Sequence, residues 1–170
     1  MSTVGVGDIQ RTVRHGNDPT RVPLGFLSSE VSQEDLLHLR WMIKKDALRQ
    51  DMYLLGPPSP YRRWLAMQFC ELTGQEVEFV QLTRDTTESD LKQRREINQG
   101  NVLFVNQPPV RAALEGRCLI LDGVEKIERN VLPTINNLLE NREMHLDDGQ
   151  FMLEAARYDA LVEKGDNVDG

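Results

Sequence analysis

The stretch that decides the fold is Asp51-Met-Tyr-Leu-Leu-Gly56-Pro-Pro-Ser-Pro-Tyr61-Arg62-Arg63-Trp-Leu-Ala-Met-Gln-Phe-Cys70. An apolar run leads into a turn rich in proline, and helix-forming residues follow the turn. This order predicts a strand, a loop and a helix, which is the topology of a phosphate-binding loop. In such a loop, backbone N–H groups and the helix N-terminus surround a polyphosphate, and a lysine supplies a positive charge.

The loop departs from the phosphate-loop pattern G-x-x-x-x-G-K-[ST] at three positions. Tyr61 replaces the second glycine, whose missing side chain lets the backbone approach phosphate. Arg62 replaces the lysine and keeps its charge in a bulkier, planar group. Arg63 replaces the hydroxyl residue that would bind Mg²⁺, and it adds a second cation there. The candidate phosphate-binding residues are Gly56, Pro57, Pro58, Ser59, Pro60, Tyr61, Arg62 and Arg63.

These departures predict that phosphate binding survives better than metal-assisted hydrolysis. The loop taken alone leaves a second interpretation open, in which Gly56 to Pro60 is an ordinary turn between a buried strand and a helix.

A second motif ends at Asp122. The apolar run from Arg117 to Asp122 is typical of a central parallel strand that is buried on both faces. Ligands bind at the carboxyl ends of such strands, and an aspartate there in a nucleotide-binding fold usually holds Mg²⁺. Asp122 is therefore the predicted metal ligand.

The residue after this aspartate is a water-activating glutamate in hydrolytic folds, but here it is Gly123. Glu125 has the same strand parity and is the candidate catalytic base if the strand continues. A surface carboxylate is the simpler interpretation of Glu125.

Composition excludes several classes of protein. The chain has 170 residues, 39% of them hydrophobic, which predicts one domain with a sizeable core. A net charge of −7 argues against a general nucleic-acid surface, and no apolar run reaches the roughly 18 residues of a transmembrane helix. Cys70 and Cys118 are interpreted as buried thiols in a reducing compartment. The three scattered histidines, His15, His38 and His145, predict no metal site.

Local patterns predict the order of the remaining elements. Helical spacing predicts a helix from Ser32 to Leu48 and another that follows the loop and ends at Gly74. Alternation predicts a strand from Glu76 to Leu82. The remaining predicted elements are a charged helix containing residues 92–96, a strand at 101–105, helices at 110–115, 130–141 and 158–162, and a hairpin around Asp148-Gly149.

Longer strings of residues resemble one family. They are His38-Leu-Arg-Trp41, Leu55-Gly-Pro-Pro58 with Arg62-Arg63, the run from Leu82 to Ile97, and the runs 128–133 and 136–144. From Asp35 to about Leu161 the chain resembles an AAA+ module of the dynein- and midasin-related ATPase group. In the resembled proteins, several AAA+ modules precede a C-terminal von Willebrand A domain.

The resemblance implies a three-layer α/β P-loop NTPase large subdomain that stops before the sensor strand and the helical lid. The sensor strand lies between the loop strand and the Asp122 strand in similar folds, so its absence predicts a gap in the sheet. Three segments are expected: a flexible N-terminal segment 1–31, a partial AAA+ module 32–164 and a disordered tail 165–170.

The resemblance also implies ligands, partners and a location. Residues 56–63 match the Walker A loop and Asp122 matches the Walker B carboxylate. The implied ligand is ATP, and the missing hydroxyl at Arg63 argues against a normal Mg²⁺ site. The implied partners are other AAA+ modules of a full-length chain or ring, with no nucleic acid, and the implied location is the mitochondrion. The opening residues nevertheless make a poor presequence.

Two functional hypotheses follow. The first is an ATP-binding AAA+ module of a dynein- or midasin-like ATPase, with hydrolysis occurring largely in other modules. The alternative is a structural or interaction module that keeps the AAA+ shape without binding nucleotide. A P-loop kinase or transferase would need the lysine and the hydroxyl that this loop lacks.

Overall fold

The computed structural model describes residues 2–13, 16–27 and 31–166. Six α-helices are found in this part of the chain: α1 (Gln33–Ala47), α2 (Tyr61–Thr73), α3 (Glu88–Leu91), α4 (Pro108–Glu115), α5 (Pro133–Asn141) and α6 (Ala155–Asp166). The strands found there are β1 (Ser2–Val6), β2 (Ile9–Val13), β3 (Val77–Gln81), β4 (Gln93–Asn98), β5 (Asn101–Asn106), β6 (Cys118–Asp122), β7 (Met144–His145) and β8 (Phe151–Met152).

The chain divides into two compact units. The first contains residues 1–81 and 111–122, and the second contains residues 82–110 and 123–170. Strands β3 and β6 and helices α1 and α2 belong to the first unit, while the β4–β5 and β7–β8 pairs belong to the second. The division falls within α4, between Val110 and Arg111.

The core of the first unit is built by α1 and α2. Ser32 caps α1 as predicted, because its hydroxyl accepts a hydrogen bond of 3.0 Å from the amide of Asp35. Gly74 ends α2 in the left-handed conformation, also as predicted. The buried residues at the helix contact are Leu39, Met42, Ile43, Leu65, Phe69 and Cys70.

The sheet of the first unit is a parallel pair, with β3 beside β6 in register from Val77 opposite Cys118 to Gln81 opposite Asp122. Residues 51–55 form no strand, so the prediction of a loop strand was wrong. Their backbone has no neighbouring strand to pair with in the described residues, although Met52 and Leu54 pack on the core. The edge of β6 away from β3 is unpaired in the described residues, and the predicted gap between β6 and a loop strand remains a prediction.

The prediction that β6 is buried on both faces was also wrong. Its residues are half-buried, because β3 is the one strand that pairs with it in the part of the chain described. Burial of a parallel strand needs neighbours on both edges and layers on both faces.

Buried charges anchor the start of β3. Glu76 and Glu78 are 4% and 3% exposed. Arg117 donates to Glu76 at 2.7 Å and to Glu78 at 2.8 Å, and Arg111 donates to Glu78 at 2.8 Å. Arg21 adds a bond of 3.1 Å to Glu78. Charges at this depth require such partners, since an unpaired buried carboxylate is very costly.

These bonds hold the pKa of both carboxyl groups below the ordinary value. For Glu76 the largest cause is the hydrogen bond from Arg117, followed by the backbone amide of Asp18. For Glu78, burial raises the pKa, but the combined effect of the Arg111 hydrogen bond and charge and of the Arg117 hydrogen bond is larger and lowers it.

The N-terminal segment, predicted to be flexible over residues 1–31, contains an antiparallel β1–β2 hairpin. Val6 and Ile9 pack on the core of the first unit. Further along, Glu71 of α2 accepts hydrogen bonds of 2.6–3.0 Å from the amides of residues 25–27. Flexibility of the segment remains a prediction.

The second unit corrects one helix prediction. Residues 93–98 form strand β4, which pairs antiparallel with β5 through a turn in which Gln99 and Gly100 have positive φ. The predicted charged helix at 92–96 was therefore wrong, and helix α3 ends at Leu91. Gln93 is buried, and its side-chain carbonyl accepts bonds from the amides of Asp147 and Asp148 at 2.9 and 3.2 Å.

Other local predictions in this unit are confirmed. Strands β7 and β8 form the hairpin expected around Asp148-Gly149, and Gly149 has φ +89°. Helix α5 begins at Pro133, three residues later than expected. Helix α6 extends to Asp166 and so includes two residues of the predicted tail, while residues 167–170 lie outside the described residues, as does His15.

The fold is α/β with a parallel strand pair, as expected for part of a P-loop NTPase. In the described ranges, no helix has both the length and the apolarity that crossing a bilayer requires.

The buried charges predict how stability depends on pH. Because the pKa of Glu78 is lower in the folded chain, this carboxylate stabilises the fold above the ordinary glutamate pKa of about 4.3, and the stabilisation is lost as pH falls further. We expect Glu78→Gln to lower the unfolding free energy by about 1–3 kcal/mol at pH 7 and to flatten its decline between pH 5 and 3. Urea unfolding measures both.

The matched control is Glu115→Gln, because Glu115 is an exposed glutamate of the same unit. It should leave the curve unchanged. Parallel pH curves for wild type and Glu78→Gln would contradict the assignment.

Candidate functional site

The predicted phosphate loop lies directly before α2, which begins at Tyr61. Residues 55–61 are exposed, so the loop is open to solvent. The structure thus places Gly56, Pro57, Pro58, Ser59 and Pro60 at the N-terminus of a 13-residue helix. A helix N-terminus favours anions, because its first amides lack acceptors within the helix and its dipole is positive there.

The loop has few backbone donors. Pro57, Pro58 and Pro60 have no N–H, so three of its eight residues cannot donate a backbone hydrogen bond. The amide of Tyr61 donates to the hydroxyl of Ser59 at 3.3 Å. The amides of Gly56, Ser59, Arg62 and Arg63 therefore remain as the loop's backbone donors for a phosphate, and the last two belong to the first turn of α2. The prolines are visible in the sequence, but they stand at positions that the phosphate-loop pattern leaves open, so the pattern alone did not indicate the loss of donors.

Arg62 lies folded over the loop. One terminal nitrogen of its guanidinium donates to the carbonyl oxygen of Gly56 at 3.0 Å. A Cβ atom on Gly56 would lie 3.6 Å from Cδ of Arg62, so the arginine chain passes just above the glycine. Arg62, the cation predicted in place of the lysine, therefore lies at the loop, where its guanidinium is hydrogen-bonded to the backbone carbonyl of Gly56.

Arg63 joins the loop helix to Asp122. Its Nε donates to one carboxylate oxygen at 3.0 Å, and a second guanidinium nitrogen donates to the same oxygen. The Arg63 guanidinium carbon also lies 5.3 Å from the ring centroid of Phe79 in β3. The two side chains are 47% and 33% exposed, so the pair is accessible to solvent. The structure therefore brings together the two predicted motifs, the loop and the carboxylate.

The residues around Asp122 do not fit Mg²⁺. The carboxylate predicted as the metal ligand is bonded to a guanidinium instead, and Arg63 supplies no hydroxyl. Within the described residues, no group of three or more His, Cys, Asp or Glu side chains could hold a metal ion. A divalent cation here would have to displace Arg63 and accept a single protein carboxylate.

Tyr61 is held against α1. Its hydroxyl donates to the carboxylate of Asp35, and this bond, with burial and the nearby negative charge, raises the pKa of Tyr61 to about 12. The ring stacks on Trp64 at a centroid distance of 6.3 Å and meets His38 edge-on at 6.4 Å. The bulky residue at the second glycine position is therefore fixed by contacts and turned to the N-terminal helix.

A cleft of about 680 Å³ opens beside the loop. Its wall combines loop residues, among them Tyr61, with His38 and Trp41 of α1 and with Tyr53, which precedes the loop. Sequence reasoning had not assigned a role in binding to His38, Trp41 or Tyr53. A helical turn separates His38 from Trp41, and this spacing on one face of α1 is the signal that was available.

Gly123, which stands where hydrolytic folds have the water-activating glutamate, has a left-handed backbone conformation. Gly123 has φ +88°, and a Cβ atom there would lie 2.9 Å from the carbonyl oxygen of Leu82. Strand β6 ends at Asp122, and a short 3₁₀ helix, Val124–Lys126, follows. The strand parity that suggested Glu125 therefore does not apply. Glu125 is exposed in the second unit, and its catalytic role remains a prediction.

Residues 51–168 match the AAA domain of the dynein-related subfamily. The chain belongs to this family. The loop at 56–63 and Asp122 both lie within the matched residues, and their assignment to the Walker A and Walker B positions remains a prediction.

A curated relative extends the comparison. The chain is 53% identical over 161 residues to mouse (Mus musculus) von Willebrand factor A domain-containing protein 8, which confirms the resemblance. The match covers 95% of this chain and 8% of the mouse protein, so the chain spans less than a tenth of that relative.

The backbone at Gly123 predicts that restoring the family glutamate fails. Gly123→Glu imposes a side chain on a left-handed residue and pushes Cβ against a carbonyl oxygen. We expect it to lower the unfolding free energy by about 1–3 kcal/mol and to produce no ATPase activity. Thermal melts and a phosphate-release assay measure these effects.

Gly149→Glu is the matched control. Gly149 has φ +89°, and a Cβ atom there would meet nothing within 4 Å. It shares the backbone strain of Gly123 but has open space around it. If both variants lose the same stability, the contact with Leu82 contributes nothing.

Proposed function

We propose that this chain is an ATP-binding AAA+ module that binds the nucleotide without magnesium and does not hydrolyse it. The observation that carries the proposal is the contact of Arg63 with Asp122 beside Arg62 and Gly56. A protein cation takes the place at the carboxylate that a metal ion would need. Arg62 remains as the charge available to the phosphates.

Charge supports phosphate binding at this place. At the loop itself Arg62 and Arg63 face one carboxylate, Asp122, while Glu34 lines the adjoining cleft and Asp35 is bonded to Tyr61. The two arginines stand on the first turn of α2, where the helix dipole adds to their field. A triphosphate would take over the guanidinium of Arg62 from the carbonyl of Gly56, because charge-assisted bonds to phosphate are the stronger ones.

The cleft supports binding of a base and sugar. Trp41 is 40% exposed and Tyr53 is 63% exposed, so their rings are accessible to a planar ligand. A volume of about 680 Å³ is within the usual range for small-molecule sites. Loop and cleft share Gly56, Tyr61 and Arg62, so one ligand can contact both.

Hydrolysis needs groups that this chain lacks at the expected positions. Phosphoryl transfer depends on a metal ion that neutralises developing charge and on a residue that orients water. Arg63 stands in place of the metal-binding hydroxyl, and Gly123 stands in place of the glutamate. In this proposal, turnover takes place in other AAA+ modules of a longer chain or ring, which are also the proposed partners.

The second candidate is a structural module that binds no nucleotide. It is favoured by the three prolines, by the bond of Arg62 to Gly56 and by the fixed side chain of Tyr61. These features close the loop on itself. The proposed mitochondrial location rests on the family resemblance, and organelle fractionation followed by detection of the protein would test it.

Titration with a fluorescent ATP analogue separates the two candidates. We expect saturable binding that is equal in excess Mg²⁺ and in excess chelator, because Arg63 blocks the metal position. Arg62→Met should weaken binding about tenfold or more, since hydrogen bonds to charged groups contribute about 1.5–3 kcal/mol. Arg84→Met, at an exposed arginine of the second unit, is the control and should bind as wild type.

The absence of binding at millimolar ATP would favour the structural module. Binding that requires Mg²⁺ would contradict the role given to Arg63.

Arg63→Thr provides a gain-of-function test. The substitution releases Asp122 and restores the hydroxyl of the phosphate-loop pattern. We expect ATP affinity to become dependent on Mg²⁺, with binding in Mg²⁺ several-fold tighter than in chelator. Arg95→Thr, at an exposed arginine of β4, should leave the affinity independent of Mg²⁺. Equal affinities with and without Mg²⁺ for Arg63→Thr would show that the arginine does not block a metal site.

A further inference from the structure

Ser59 stands in the exposed loop before α2 and is followed by Pro60. Among the eight prolines of the chain, Pro60 is the one that follows a serine or a threonine. Proline-directed protein kinases modify a serine or threonine that precedes proline, and they favour a basic residue three positions after it. Arg62 is that basic residue here. The sequence around Ser59 is therefore a substrate pattern for such a kinase, and it occurs once in the chain.

The loop is accessible to a kinase. Residues 55–60 are exposed, and they belong to no helix or strand. Arg62 lies in the first turn of α2, and helix ends fray easily. The serine and the proline are therefore presented as they stand, and opening of one helical turn brings the arginine into the same extended segment.

The hydroxyl of Ser59 is turned back to the start of α2. Its oxygen accepts a hydrogen bond of 3.3 Å from the amide of Tyr61. The guanidinium of Arg62 lies over the same loop, since it donates to the carbonyl oxygen of Gly56 at 3.0 Å. Ser59 and Arg62 both line the cleft beside the loop. A phosphate on the serine oxygen would therefore lie among the loop's own donors.

Arg62 is a strong partner for such a phosphate. Phosphoserine carries a charge of about −1.5 to −2 at pH 7 and three acceptor oxygens. Bonds from arginine to phosphate are stronger than bonds to an uncharged acceptor, so the guanidinium gains by leaving the carbonyl of Gly56. Arg63 keeps its own partner, Asp122. The phosphate thus takes the cation that the proposed function assigns to the phosphates of ATP.

We propose that Ser59 is a phosphorylation site and that phosphoserine at this position, held by Arg62, excludes ATP from the loop. The exclusion rests on the proposed function, whereas the contact with Arg62 does not. Phosphorylation then switches nucleotide binding off, because phosphates of like charge at one arginine repel each other.

The modification is a phosphoryl transfer from ATP that is bound in the kinase. The Ser59 oxygen attacks the γ-phosphorus, an O–P bond forms, and the bond from the γ-phosphorus to the β,γ-bridging oxygen breaks. ADP leaves with that oxygen, and the hydroxyl proton passes to the catalytic aspartate of the kinase. The chain gains HPO₃, and no atom is oxidised or reduced.

Mass spectrometry tests whether Ser59 is the modified residue. The full 170-residue chain is incubated with ATP and a cyclin-dependent kinase, which is proline-directed. We expect a gain of about 80 Da that maps to the peptide containing Ser59, and no gain in Ser59→Ala. An unchanged mass, or phosphate on another residue in place of Ser59, would overturn the assignment.

Phosphorus NMR tests the contact with Arg62, whether or not the chain binds ATP. Phosphoserine is installed at position 59 during translation, and the second pKa of its phosphate is measured by titration. We expect this pKa to lie at least about half a unit below the usual value of about 6, because a nearby cation favours the dianion.

Two variants assign the NMR effect to Arg62. Arg62→Met should raise the phosphate pKa back towards about 6. Arg84→Met, at an exposed arginine of the second unit, is the matched control and should leave the pKa lowered. An ordinary phosphate pKa in the chain that keeps both arginines, or an equal pKa in the two variants, would contradict the contact.

Titration with the fluorescent ATP analogue tests the exclusion. We expect the phosphorylated chain to bind it about tenfold or more weakly than the unphosphorylated chain, because ATP loses the bonds of one arginine. Equal affinities of the two forms would overturn the exclusion. Absence of binding by the unphosphorylated chain would contradict the proposed function and the exclusion with it, whereas the NMR titration would still decide the contact with Arg62.

Discussion

The apolar contact between α1 and α2 is the interaction on which the functional region depends. Leu65, Phe69 and Cys70 of α2 pack against buried residues of α1, and the start of β6 closes the same cluster. Because these positions recur at helical spacing, their burial sets both the position and the rotation of α2. The rotation in turn decides where the first turn of the helix presents Arg62 and Arg63.

Once α2 is placed, the loop and the carboxylate come together through a protein ion pair. A typical phosphate loop leaves a gap between its hydroxyl residue and the Walker B carboxylate, and a hydrated magnesium ion occupies that gap. Here Arg63 fills the gap with two hydrogen bonds to one oxygen of Asp122. Half-exposed pairs of this kind contribute little to stability, about 0–1 kcal/mol. In the proposed function, the role of Arg63 is to keep a magnesium ion away from Asp122.

Other residues of the loop are likewise hydrogen-bonded to protein groups. Arg62 bonds the carbonyl of Gly56, Tyr61 is bonded to Asp35, and the Tyr61 amide turns to Ser59. Gly123 extends the pattern, because its left-handed backbone and its distance to Leu82 leave no room for a glutamate. The chain thus belongs to the AAA family, yet it has arginine at position 63 and glycine at position 123, where the phosphate-loop pattern and hydrolytic folds have a hydroxyl residue and a glutamate.

Sequence alone determined the features that depend on near neighbours in the chain: the Ser32 cap, the Gly74 stop, the Asp148-Gly149 hairpin and the family. It failed at two elements. Residues 93–98 are charged like a helix surface, yet they form a hairpin with β5, the next strand along the chain. Residues 51–55 form an apolar run like a strand, yet have no neighbour to pair with in the described residues. Only the tertiary structure decided that Arg63 meets Asp122, that arginines far along the chain neutralise Glu76 and Glu78, and that Cys118 packs against the core cluster that contains Cys70. The physical reason is that local patterns record preferences of the backbone, whereas charge pairing and core packing depend on distances that exist only after α2 and β6 have packed.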